Sequence, residues 1–113
     1  MKNKYRNKKT VRIINNKIVK FDSLKEARYY DQLYMKLKVG LISSLVLQPK
    51  YELIPTVKWN GKTLRKITYS ADFRYIQDGK TFVVDVKGMR TDVYKIKMRL
   101  FVMKNPDVTF LEV

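Results

Sequence analysis

The sequence predicts an α/β fold with a mixed sheet, and three observations carry that prediction. One helical apolar stripe precedes a run of alternating segments, and a second stripe follows it. Two tight-turn dipeptides, Asn60-Gly61 and Asp78-Gly79, cut the alternating run into three strands. A last apolar run, Val108 to Val113, comes after the second helix, which makes that helix a crossover to a final strand. The predicted order is helix, three-stranded antiparallel meander, helix, strand.

Met1 to Lys20 hold eight basic residues and no acid. Lys2, Lys4, Arg6, Lys8 and Lys9 form a basic arm at the start. Val11 to Ile14 and Ile18 to Phe21 flank Asn15-Asn16-Lys17 and can form a small hairpin, because Asn tolerates the positive φ of a tight turn. Residues 1–20 therefore read as an arm with a hairpin, and residues 21–113 as a single domain.

Ser23, with Glu26 three residues later, has the spacing of a capping box. Ala27, Tyr30, Tyr34, Leu37 and Leu41 then recur at helical spacing, and Gly40 is a natural stop. This predicts a helix over 24–39, with Glu26 at the edge of its buried face. Lys50 to Trp59, Leu64 to Gln77 and Lys80 to Lys87 are the three strands. Thr91 or Asp92 caps the second helix, whose stripe is Val93, Ile96, Leu100 and Met103, and Asn105-Pro106 ends it.

The chain has 113 residues, 25 Lys plus Arg against 10 Asp plus Glu, a formal net charge of +15, and neither Cys nor His. Without Cys there is no disulfide, thiolate nucleophile or cysteine zinc site; without His there is no imidazole base or ligand. Catalysis is left to carboxylates, Lys, Tyr, hydroxyls and hard, oxygen-bound cations such as Mg²⁺ or Mn²⁺. No apolar run approaches the ~20 residues of a membrane span, so the expectation is a soluble, cytoplasmic protein. The charge predicts a polyanionic partner, with nucleic acid foremost, since each phosphate neutralised releases counterions.

Against this surplus the acids stand out. Alternation puts Tyr69, Ala71, Phe73 and Tyr75 on one face of their strand and Asp72 on the other. It also puts Asp85 and Lys87 together, opposite Phe82, Val84 and Val86. The Asp78-Gly79 hairpin makes these strands neighbours. Two carboxylates and an ammonium can then share one patch, where a divalent cation would relieve the carboxylate repulsion. A structural ion pair between Lys87 and one Asp explains the same pattern without chemistry.

Glu26 on a first helix, Ala71-Asp72-Phe73, then Asp85-Val86-Lys87-Gly88 and a basic amphipathic helix together resemble the PD-(D/E)xK nuclease superfamily. Within it, Phe21-Asp22-Ser23-Leu24-Lys25-Glu26-Ala27, Leu47-Gln48-Pro49-Lys50-Tyr51-Glu52-Leu53 and Asp85-Val86-Lys87-Gly88 are most similar to small phage Holliday-junction resolvases of the phage endonuclease I kind. A similar layout, Gln48-Pro49 included, occurs in the endonuclease subunit of some cut-and-paste transposons.

The resemblance implies a restriction-endonuclease-like core. It implies one or two Mg²⁺ or Mn²⁺ ions held by Asp72, Asp85 and the Val86 carbonyl, with Glu26 acting through water or at a second ion. Lys87 becomes the catalytic lysine, and Gln48 a polar support. Asp85 stands where many relatives carry Glu. Lys95, Lys97 and Arg99 on the second helix, with the N-terminal cations, would contact phosphates. The implied function is a metal-dependent endodeoxyribonuclease acting on branched DNA as a homodimer. A transposon-type or structure-indifferent nicking enzyme and an inert DNA-binding protein are the alternatives.

Overall fold

The computed structural model describes residues 9–113, so Lys2, Lys4, Arg6 and Lys8 lie outside the described residues. The chain is mixed α/β with a mixed central sheet, as the pattern predicts. It divides into two compact units, one ending at Ile42 and one spanning Ser43–Val113. Among the described residues no helix is long and apolar enough to cross a membrane.

In the first unit, β1 (Val11–Ile14) pairs antiparallel with β2 (Lys17–Lys20). Asn15 and Asn16 both take positive φ, 51° and 64°, so two residues make the turn and β2 starts at Lys17. Helix α1 (Leu24–Lys38) begins where the Ser23 hydroxyl accepts from the Glu26 N–H at 3.0 Å, and Gly40 at φ 81° turns the chain out of it. Arg12 on β1 grips Asp31 on α1 with two bonds, 2.7 and 2.8 Å, which raises the Arg12 pKa and lowers that of Asp31. Phe21 stacks on Tyr30 at 5.4 Å. The buried face is Glu26, Ala27, Tyr30 and Leu33; Tyr34 and Leu41, expected in the stripe, are exposed. Glu26 is thus fully inside the buried face, at 5% exposure, instead of at its edge.

The second unit is built on one long bent ribbon. Its first side is β3 (Ser43–Leu47), β4 (Lys50–Ile54) and β5 (Val57–Trp59). Its return side is β6 (Lys62–Leu64), β7 (Ile67–Ser70) and β8 (Phe73–Gln77). β5 pairs with β6, β4 with β7 and β3 with β8, all antiparallel. The two expected strands before Asp78-Gly79 are therefore broken into shorter pieces, and β3 is an addition to the expected meander. Pro55 interrupts one side. Gln48-Pro49 faces Ala71-Asp72 at a bend, since the register Leu47↔Phe73 continues as Lys50↔Ser70. Proline has no N–H to give, so only its carbonyl takes part, accepting from Ala71 at 3.1 Å.

After the Asp78-Gly79 turn, β9 (Lys80–Asp85) pairs with β8, helix α2 (Asp92–Lys104) crosses over, and β10 (Thr109–Glu112) lies parallel to β9. The sheet order is β10-β9-β8-β3, with the last strand at the edge. Leu53, Tyr69, Ala71, Val83, Tyr94 and Phe101 form the core under α2. Phe101 is fully buried among Tyr51, Tyr69 and Phe110, with centroids 4.6, 5.5 and 5.9 Å away. Lys104 at the end of α2 donates to the Leu53 carbonyl.

Two expectations about faces need correction. Tyr69 and Ala71 share the α2 side with Val83, whereas Phe73 and Tyr75 pair across from Val84 and Phe82, because the bend at Ala71-Asp72 resets the alternation. Of the predicted α2 stripe only Leu100 packs against the core: Val93, Ile96 and Met103 are 62%, 60% and 68% exposed, while Tyr94, Met98 and Phe101 turn inward. Both sets have helical spacing. The aromatic set wins because its rings bury more apolar area.

Candidate active site

The bend and the end of β9 bring the acids together. The pairing of β8 with β9 ends at Phe73↔Val84; just beyond it the Asp72 N–H donates to the Val84 carbonyl at 3.0 Å, and the Asp72 side chain comes within hydrogen-bond reach of Asp85. The Gln48 N–H donates to the Asp72 carbonyl at 2.9 Å. Gln48 thus supports the site through its backbone, held at φ 50°, while the residue itself is exposed.

Asp85 is 1% exposed. One of its oxygens accepts from the Tyr69 hydroxyl, and the other lies 2.8 Å from Lys87 Nζ. Asp72 is half-buried, and its Oδ2 accepts from the Val86 N–H at 2.6 Å. Burial pushes the Asp72 pKa up to about 6; the Val86 N–H works against this, and the adjacent Asp85, close enough to share its proton, works with it. Lys87 draws it down again, though not enough. Lys87 Nζ also sits 4.0 Å from the centroid of the Tyr94 ring.

Tyr69, Tyr94 and Glu112 extend this patch, and sequence reasoning did not assign them to it. β10 runs parallel to β9 in the register Glu112↔Asp85, which sets a third carboxylate on the adjacent strand. Glu112 accepts from the Tyr94 hydroxyl at 2.5 Å and pairs with Arg90 at 3.3 Å. Burial and hydrogen bonding to Asp85 and Glu112 raise the pKa values of Tyr69 and Tyr94, so both phenols stay protonated donors. The one signal in the sequence was the crossover helix, which demands a parallel last strand; its register is set by packing.

Asp72, Asp85, Val86 and Lys87 are therefore brought together. Glu26 belongs to the first unit, where it is buried on α1. Lys95 and Arg99 lie on the exposed side of α2 beside Ile96 and Met103, not opposite the apolar stripe, and Lys97 is half-buried. Lys9 is exposed. Among the described residues no group of three or more carboxylates is gathered to hold a metal ion.

The donor set still suits a hard cation. It is all oxygen, and the facing carboxylates repel without a proton or cation between them. An ionised carboxylate offers about four acceptor positions, of which Tyr69 and Lys87 use two on Asp85.

Residues 2–112 match the family described as Protein of unknown function (DUF1064). The chain belongs to that family. No curated protein matches the sequence.

Proposed function

We propose that this DUF1064 protein is a metal-dependent endodeoxyribonuclease. The observation that carries the reading is the facing pair Asp72 and Asp85 with Lys87 2.8 Å from Asp85, set in a chain of net charge +15. Asp85 is buried and Asp72 half-buried, and two carboxylates drawn together out of water repel one another unless a proton or a cation lies between them.

Asp72 and Asp85, with the Val86 carbonyl, would hold Mg²⁺ or Mn²⁺. The ion, when bound, supplies Lewis-acid polarisation of a phosphodiester and an acidified water. Tyr69 orients the Asp85 carboxylate by hydrogen bond. Lys87 is pinned between Asp85 and the Tyr94 ring, where its ammonium offsets the charge that grows on the phosphate oxygens. Glu112, itself paired with Arg90, accepts from the Tyr94 hydroxyl and holds that ring in place. Lys9, Lys95, Lys97 and Arg99 add phosphate contacts.

Branched DNA is the proposed substrate, cut by a homodimer in the cytoplasm. A two-fold junction needs two coordinated cuts, and this short chain offers one site. The deciding assay compares a four-way junction, a linear duplex and a single strand of matched sequence, in Mg²⁺ and in chelator. Junction cleavage in Mg²⁺ alone is expected. Equal cutting of all three would replace the resolvase reading with a structure-indifferent or transposon-type nicking enzyme. Binding with no cutting of any would leave a DNA-binding protein.

A further inference from the structure

The tip of the long ribbon is the part of the second unit that the candidate site does not use. Residues 55–68, fourteen in a row, are all exposed. They include Lys58, Lys62, Arg65 and Lys66 and no acid. Beyond the pair Ile54↔Ile67 the ribbon is β5 and β6 alone, joined by Asn60 and Gly61 at φ 48° and 73°. Five residues per side at strand rise carry the tip about 17 Å outward.

Register sorts its side chains. Val57↔Leu64 and Trp59↔Lys62 share one face, and Lys58↔Thr63 occupy the other. Val57, Trp59 and Leu64 are 44%, 57% and 47% exposed. An indole beside a turn, on a strip of apolar surface edged by cations, suits a partner with flat π-faces and a phosphate backbone. A second copy of the chain would instead set these four cations against another chain of net charge +15.

We propose that residues 55–68 form a DNA-binding arm. A two-stranded ribbon is narrow enough for the major groove. Lys58, Lys62, Arg65 and Lys66 contact phosphates, and Trp59 packs on bases laid open beside the cut. The inference rests on the reading of DNA as substrate and adds to it the element that grips the substrate.

Trp59 is the chain's single tryptophan, so its emission reports on the arm directly. The full chain is titrated in chelator with a four-way junction and with a linear duplex. DNA should quench Trp59 and shield it from acrylamide. Lys58→Gln, Lys62→Gln, Arg65→Gln and Lys66→Gln combined should lower the slope of log affinity against log salt by about 3 to 4, since each phosphate left without its cation takes away about 0.9. Trp59→Ala should weaken binding about tenfold with the slope unchanged. Unchanged emission at saturating DNA, with an unchanged slope in the quadruple variant, would overturn the proposal and leave the cations as solubility charges. Trp59 emission that shifts with protein concentration in the absence of DNA and does not respond to added DNA would overturn it in favour of a second copy covering the arm. Arm variants that bind like wild type, in a protein that does cut DNA, would sink this inference alone. Full arm signals from a protein that cuts nothing would sink the nuclease reading alone.

Discussion

At its base the ribbon sets Asp72 beside a fully buried Asp85, under a helix and against a parallel strand; at its tip fourteen exposed residues carry four cations and no acid. The same antiparallel pairing runs through both ends. What differs is cover: the base is flanked by β9 and packed under α2, whereas the tip has no third strand beside it among the described residues. Cover removes water, and that makes a carboxylate pair costly and responsive to a cation. Exposure keeps charges hydrated and cheap, fit for screened contact with phosphates.

The sharpest way to break this contrast is at Asp85. Asp85→Asn should lower cleavage in Mg²⁺ by about 10³-fold or more while leaving DNA affinity unchanged or tighter, read by gel cleavage beside anisotropy. Full activity would remove the proposed site. Lys87→Ala should cost about 10²-fold with DNA binding little changed.

Asp72→Asn should match Asp85→Asn in activity and in addition carry a stability signature. Because its folded pKa of about 6 lies above the ordinary carboxylate value, Asp72 favours the folded state at acid pH, and that contribution is lost as pH rises through about 6. In chelator at pH 8 the Asn variant should therefore melt above wild type, by about 2–4 °C after allowance for partial solvation. Mg²⁺ should raise the wild-type melting temperature and not the variant's. A variant that melts lower would show that the two carboxylates are not in conflict.

Tyr69→Phe leaves a buried Asp85 oxygen short of a donor and should destabilise by about 1–2 kcal/mol in chemical denaturation, with cleavage down about tenfold. Arg12→Ala, which undoes the partly exposed grip on Asp31 in the first unit, should cost about 0.5–1 kcal/mol and leave cleavage alone. Asp31 has a depressed pKa, so the pair's contribution holds above the ordinary Asp range and fades as pH falls through it.

Much of the scaffold was legible because its signals are local. Asn15-Asn16, Asn60-Gly61 and Asp78-Gly79 all adopt the positive φ that their residue types favour, and Ser23 and Thr91 cap their helices through their own side chains. The strand pieces were less legible. The alternation from Leu64 to Gln77 hides the bend at Ala71-Asp72, which depends on Gln48-Pro49 across the ladder, more than twenty positions away. The α2 face was misread for a related reason: two apolar sets share the helical spacing, and only the space offered by Tyr51, Tyr69 and Phe110 selects Phe101.

The site divides along the same line. Asp85 and Lys87 could be grouped in advance because strand alternation is a consequence of backbone geometry, and the Asp78-Gly79 hairpin brings the segment that carries Asp72 alongside them; the bend that turns Asp72 toward Asp85 is tertiary. Glu112, Tyr69 and Tyr94 could not. Their places follow from the register of a parallel strand and from helix packing, which are settled by long-range burial and not by any neighbour in sequence. The charge surplus belongs to the sequence alone; which cations stand clear on an arm, and which acids are driven together without water, only the folded chain decides.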